Sequence, residues 1–100
     1  MSVSMTASDD GKTVSLKING RFDFSLHNDF RKAYRDVQIS GGEYIVDLSG
    51  TDYLDSSALG MLLLLKEHAE SNASIVRLIN YNDEIKEILT IASFDKLFTL

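Results

Sequence analysis

Apolar and polar residues alternate from Ser2 to Ala7, with Val3, Met5 and Ala7 on one side. That is the period of a half-buried strand. Asp9-Asp10-Gly11 is a turn signal. Val14, Leu16 and Ile18 resume the alternation, so a second strand closes a hairpin and Gly20 ends it. A helical period follows. Leu26, Phe30, Ala33, Tyr34 and Val37 fall at i, i+4, i+7, i+8 and i+11, which gives a helix beginning at Leu26 one buried face, with Ser25 as its cap. Ser40-Gly41-Gly42 is a short loop.

Tyr44 to Leu48 is nearly continuous apolar sequence, the pattern of a strand covered on both faces. The next helix runs to about Glu70 and carries Ala58, Leu59, Met61, Leu62, Leu63, Leu64, Leu65 and Ala69. Its first part is apolar almost all round, which means central burial or an apolar surface offered to a partner. Apolar stripes are more often core, so Leu62 to Leu65 are expected under the sheet. Lys66, Glu67, His68 and Glu70 mark its solvated end. Ile75 to Ile79 is a further core strand. Asn82 caps a third helix with Asp83 and Glu84 in the first turn, where the helix dipole favours them. Ile85, Ile88, Leu89 and Ala92 are its buried stripe, and Leu97-Phe98-Thr99-Leu100 reads as a short last strand.

The order is therefore ββαβαβα with a final strand as an extension. The strand–helix–strand unit from Tyr44 to Ile79 requires parallel neighbours and a right-handed crossover. The expected fold is α/β: a mixed sheet of four to five strands, opened by an antiparallel hairpin and packed by three helices. One hundred residues suit a single domain over 1–100 with one core.

Composition narrows the chemistry. There is no cysteine, which removes disulfides, thiolate nucleophiles and cysteine metal sites. The start has no basic region followed by an apolar stretch, so a secretory signal is not expected. The longest apolar run, Met61 to Leu65, is far short of the roughly 20 residues of a membrane span. A cytoplasmic protein without direct membrane insertion is expected. The net charge of −5 and the scattered basic residues argue against nucleic acid.

The chemistry concentrates in Asp55-Ser56-Ser57-Ala58-Leu59-Gly60, between the Tyr44–Leu48 strand and the long helix. A helix start presents unpaired N–H groups and a dipole that favours negative charge. Such a turn tolerates a phosphate, so a phosphorylated serine there could change a surface without breaking the fold. The plain alternative is that both serines only start the helix, since serine is a preferred N-cap. Asp23, Asp52 and Asp55 could form an acidic rim nearby. Magnesium binding is the sharper reading of that rim and solvated loop carboxylates the commoner one, so no metal or cofactor is expected. A hydrolytic triad fails on geometry. Ser56 and His68 stand twelve helical residues apart, roughly 18 Å at 1.5 Å per residue, and His27 lies at the start of another helix. No nucleophile elbow or phosphate-loop motif is present, and no enzymatic activity is expected.

Ile45-Val46-Asp47-Leu48 followed by Tyr53-Leu54-Asp55-Ser56-Ser57-Ala58-Leu59-Gly60 resembles the signature of the STAS domain, the family that includes the bacterial anti-sigma factor antagonists. Gly20-Arg21-Phe22-Asp23 is similar to that family's glycine and aspartate before the first helix. The resemblance implies that Ser56, directly after Asp55, is the phosphoacceptor, with Ser57 as second choice. It implies a partner surface of Asp23, Phe24, Ser25, Asp52, Asp55, Ser56, Ser57, Ala58 and Leu59. The implied partners are an anti-sigma factor or a serine kinase of the partner-switching type, with a PP2C-type phosphatase that resets the serine. Ala58 departs from the glycine of many members, and alanine suits a helix better. The sequence ends before the further helix that many members carry. Two other readings stand beside this one: a small STAS subunit of a membrane transport complex, and a ligand-binding domain.

Overall fold

The structure is a computed structural model and describes residues 2–98 and 100. Four strands form one sheet in the order β1-β2-β3-β4: β1 Ser2–Ala7, β2 Thr13–Phe22, β3 Glu43–Leu54 and β4 Ile75–Ile79. β1 pairs antiparallel with β2, and β2–β3 and β3–β4 are parallel. The helices are α1 His27–Tyr34, α2 Ser56–Glu70 and α3 Asp83–Ile91. The expected ββαβαβα order holds.

One face of the sheet is the core. Val14, Leu16, Tyr44, Val46, Val76 and Leu78 lie in register across β2, β3 and β4, and they are all buried, as are Ile18 and Leu48 where the register shifts. Phe30 and Tyr34 of α1, Leu62 and Leu65 of α2, and Ile85 and Leu89 of α3 join the same cluster, so the helical layer covers that face. Burying a large apolar side chain contributes about 1.5–3 kcal/mol. The opposite face carries Lys17, Ile45, Asp47 and Arg77, exposed or half-buried. This corrects the reading of Tyr44–Leu48 as a strand covered twice. Ile45 gives the run its continuous apolar look, yet it lies on the open face. Ile75 is likewise 54% exposed.

Two bulges shape the end of the sheet that matters here. β3 has 12 residues against 10 in β2. The register shifts between Lys17 and Asn19 and again between Gly20 and Arg21, each time leaving one extra residue on β3. Along β3 the buried positions then become Leu48, Thr51 and Leu54, three residues apart. Alternation is lost, which is why the sequence pattern stops this strand at Leu48. Thr51 is buried at the bulge, and its hydroxyl donates to the Ile18 carbonyl at 2.9 Å. Gly50 is pressed against β2: a Cβ there would lie 2.1 Å from Asn19 Oδ1. Gly20 does not end β2 as expected. It takes φ +88°, a conformation open to glycine, and the strand continues to Phe22.

The first helix also starts differently. The chain makes a 3-10 turn at Phe24–Leu26 before α1, and the cap is Asp23, whose side chain accepts from Ser25 N–H. Ser25 is not the cap. The buried stripe Leu26, Phe30 and Tyr34 stands as expected. In α2, Leu62 and Leu65 are buried, but Leu63 and Leu64 are 40% and 47% exposed. The core reading of Leu62–Leu65 thus holds for two of the four. Asn82 caps α3, accepting from Ile85 N–H. Beyond α3 the expected last strand is not formed at Leu97 or Phe98. A 3-10 turn at Phe94–Lys96 stands there, with Phe94 and Phe98 buried and stacked at 5.2 Å. Thr99 lies outside the described residues.

Candidate functional site

β2 and β3 leave the sheet side by side, because Phe22 and Leu54 are register partners. Asp55 N–H still donates to the Phe22 carbonyl at 3.4 Å. Beyond that pair, both chains turn in the same way. Asp23 is extended, at φ −134° and ψ −171°, and accepts from Ser25 N–H at 3.0 Å and from the Ser25 hydroxyl at 2.5 Å. Asp55 is extended, at φ −115° and ψ −176°, and accepts from Ala58 N–H at 3.0 Å and from the Ser57 hydroxyl at 2.6 Å. In each turn the aspartate caps the following segment and a serine two residues on clamps the aspartate. Leu26 and Ala58, three residues after each aspartate, are buried.

The residue directly after each aspartate points outward. Phe24 is 70% exposed and stacks on His27 at 5.4 Å. Ser56 is exposed, and among the described residues its hydroxyl has no hydrogen-bond partner. Ser56 and Ser57 are the first two residues of α2, as the plain reading of both as helix-start residues has it, but neither is the N-cap. Asp55 is the cap, Ser57 supports it, and Ser56 does neither.

Charge differs between the two turns. The Ser25 hydroxyl donates to Asp23, and Arg21 Nε stands 3.4 Å from its other carboxylate oxygen. Together they hold the Asp23 carboxyl below the usual carboxylate range, the serine contributing most. The Arg21 guanidinium also lies 3.9 Å from the centre of the Tyr53 ring, a cation–π arrangement. Arg21 and Tyr53 are register neighbours on β2 and β3. No cation pairs with Asp55 among the described residues. It sits instead where the α2 dipole favours an anion.

Asp23, Phe24, Ser25, Asp55, Ser56, Ser57, Ala58 and Leu59 thus meet at one end of the sheet. Ala58 lies in the core beneath them, and Leu59 is half-buried. Asp52 stands apart from the two turns. It is the exposed extra residue of the second bulge in β3, within the strand rather than in a loop. Among the described residues no group of three or more His, Cys, Asp or Glu could hold a metal ion. His68 packs edge-on against Tyr34 and Tyr44, with Nε2 2.7 Å from the Val37 carbonyl, so it anchors the α1–β3 loop to α2. Arg21, Tyr53 and His27 border the site, although sequence reasoning assigned them no role in it. Arg21 was visible two residues before Asp23, but Tyr53 reaches it only through the bulged register. No helix among the described residues is long and apolar enough to cross a membrane.

Comparison with known proteins gives the same arrangement a family. The family model "Mlab, STAS domain" matches residues 5–99. A STAS-domain containing protein of Pseudomonas aeruginosa is 46% identical over 100 residues, covering 100% of this chain and 99% of its own. Among solved structures, the anti-sigma factor antagonist SpoIIAA in its unphosphorylated form superposes with a TM-score of 0.70 at 16% identity, over 89% of this chain and 82% of that one. Bacillus SpoIIAA in the phosphorylated form gives 0.68 at 14%, over 98% and 89%. A sulfate transporter family protein from Wolinella succinogenes gives 0.77 at 17%, over 92% and 74%. At such identities these structures carry the fold alone. The family model and the Pseudomonas relative span nearly the whole sequence, so this chain, with its bulged β3 and its paired aspartate turns, belongs to the STAS-domain family.

Proposed function

We propose that this STAS domain is an anti-sigma factor antagonist. In this reading it is a binding module whose surface around Ser56 is switched by phosphorylation. One observation carries the reading: at the start of α2, Asp55 performs the capping and leaves the Ser56 hydroxyl outward and unpartnered. A hydroxyl in that position can be modified without removing any contact that holds the helix. The likeness to SpoIIAA supports the same direction at the level of the fold.

The unphosphorylated surface of Asp23, Phe24, Ser25, Asp55, Ser56 and Leu59 docks onto an anti-sigma factor or a serine kinase of the partner-switching type. A phosphate on Ser56 brings nearly two negative charges. The α2 dipole stabilises it by about 0.3–2 kcal/mol, and Asp55 and Asp23 oppose it by a similar order, since partly exposed charges interact weakly. The fold absorbs the change. At an interface the same charge must lose its water and face those aspartates, and a few kcal/mol there lowers affinity by two or more orders of magnitude. A PP2C-type phosphatase restores the hydroxyl.

The test compares wild type, Ser56→Ala and Ser56→Asp as baits in cells, with mass spectrometry of captured proteins and of the Ser56 phosphate. An anti-sigma factor or kinase held by wild type and Ser56→Ala, and lost by Ser56→Asp, is expected. Equal capture by Ser56→Ala and Ser56→Asp would remove Ser56 as the switch. The likeness to a sulfate transporter family protein favours a second reading, a subunit of a membrane transport complex. Recovery of the chain with membranes, independent of Ser56, would establish that reading instead.

A further inference from the structure

Residues 20–27 and 52–60 build the end of the sheet that carries Ser56. They hold three carboxylates, Asp23, Asp52 and Asp55, and a single lysine or arginine, Arg21. Arg21 stands on β2 opposite Tyr53 of β3. Its guanidinium lies 3.9 Å from the centre of the Tyr53 ring, and its Nε reaches Asp23 Oδ2 at 3.4 Å. The side chain is still 57% exposed. Among the described residues its two terminal nitrogens make no hydrogen bond. The ring and the aspartate therefore hold the guanidinium in place, and the end that takes an oxyanion two oxygens at a time is left open. One register pair further on, Phe22 and Leu54 end the strands, and Asp23 and Asp55-Ser56 follow directly.

We infer that Arg21 is the counter-ion of a phosphate on Ser56. The inference rests on the phosphorylation proposed above and adds how its charge is received. A phosphate there stands next to Asp55, with Asp23 on the neighbouring strand, and like charges so placed call for a cation. Arg21 turns its terminal nitrogens to the phosphate. Its contact to Asp23 is long at 3.4 Å, hence weak, and is exchanged for shorter charge-assisted bonds. Asp23 keeps both of its bonds from Ser25, so the first turn stands. Tyr53 loses the cation from its face. The modification thus reaches past Ser56: it adds an anion, occupies the open end of Arg21 and uncovers an aromatic ring that is already 40% exposed. The surface a partner meets changes on both strands while the fold does not.

The test places phosphoserine at position 56 of the full chain by genetic encoding and follows its titration by phosphorus NMR. The second pKa of a phosphoserine is ordinarily about 6, and a paired cation lowers it by favouring the dianion. His27 stacks on Phe24 at the same end of the sheet and titrates over the same range, so every chain compared carries His27→Gln. The phosphate pKa should rise by about half a unit or more when Arg21→Gln is added, and Arg21→Lys should restore part of the difference. Arg35→Gln removes the same charge from the far end of α1 and should leave the phosphate pKa unchanged. Arg21→Gln should melt close to the parent chain, as exposed substitutions do. Phosphorylation should also move the Tyr53 ring resonances toward their positions in the unphosphorylated Arg21→Gln chain. An equal pKa with and without Arg21, an equal rise from Arg35→Gln, or a Tyr53 ring unmoved by the phosphate would overturn the inference. The failure of the antagonist reading looks different: there the phosphate pairs with Arg21, yet Ser56→Ala and Ser56→Asp capture the same proteins.

Discussion

Phe22-Asp23-Phe24-Ser25-Leu26 and Leu54-Asp55-Ser56-Ser57-Ala58 leave the sheet side by side and turn alike. Each has a buried residue, a capping aspartate, an outward residue, a serine bonded to the aspartate, and a second buried residue. They differ at the outward position, an aromatic ring in one and a hydroxyl in the other. They differ also in what they launch: a three-residue 3-10 turn before an eight-residue helix, against a helix of 15 residues. The comparison separates two jobs. The aspartate and its flanking buried residues hold the turn. The residue directly after the aspartate neither caps the turn nor enters the core, so its identity is open to function.

The largest effect should come from the buried positions. Leu26→Ala is expected to cost about 2–5 kcal/mol, the range for a deleted core leucine, whereas Ala58→Gly should cost about 1 kcal/mol. Urea unfolding measures both. A loss below that of Ala58→Gly for Leu26→Ala would mean that the first turn is held by its cap alone.

The caps come next. Asp55→Ala should destabilise by about 1 kcal/mol, the usual loss for an N-cap, because Ala58 N–H and the Ser57 hydroxyl both lose their acceptor. Asp23→Ala should lose less, since it caps only the short 3-10 turn. Equal losses would show that the length of the capped helix does not set the value of the cap.

Charge sharpens the difference further. The Asp23 carboxyl sits below its ordinary value because Ser25 and then Arg21 stabilise its ionised form. The unfolded chain therefore takes up the proton first. That contribution is fully present above the unfolded pKa, about 3.9, and is lost as pH falls through the lower folded value. Asn is also a good cap, so Asp23→Asn isolates the charge. Thermal melts between pH 7 and pH 2 should show the gap between wild type and Asp23→Asn closing below about pH 4. A gap that stays constant to pH 2 would rule out this ionic contribution.

The smallest effect is expected at the two outward positions. Ser56→Ala and Phe24→Ala should each change stability by no more than about 0.5 kcal/mol, as for other exposed sites. Ser56→Asp should melt close to wild type for the same reason. A loss above 1 kcal/mol at Ser56, by calorimetry, would mean that the hydroxyl carries part of the fold after all.

Much of this was legible in the chain because it follows from local chemistry. Alternation at Val14, Leu16 and Ile18 marked β2, the helical spacing of Leu26, Phe30 and Tyr34 marked the first buried stripe, and Asn82 announced α3. The Asp55-Ser56-Ser57 turn could be placed at a helix start for the same reason. What the pattern missed depends on partners distant in sequence. Leu48, Thr51 and Leu54 bury at intervals of three only because β3 carries two extra residues against β2, and no period within β3 encodes its neighbour's length. Leu63 and Leu65 are the same residue type two positions apart. Their different burial was decided by which side of α2 meets the sheet.

The sequence by itself determined the order of elements, the acid–serine turn and the absence of cysteine chemistry, since each rests on residues within a few positions of one another. The tertiary structure decided which hydroxyl is outward and that Asp23 stands beside Asp55. It also decided that Arg21 reaches Tyr53 across the strands. Those facts depend on register, and register is set by the packing of whole strands rather than by any local run of residues.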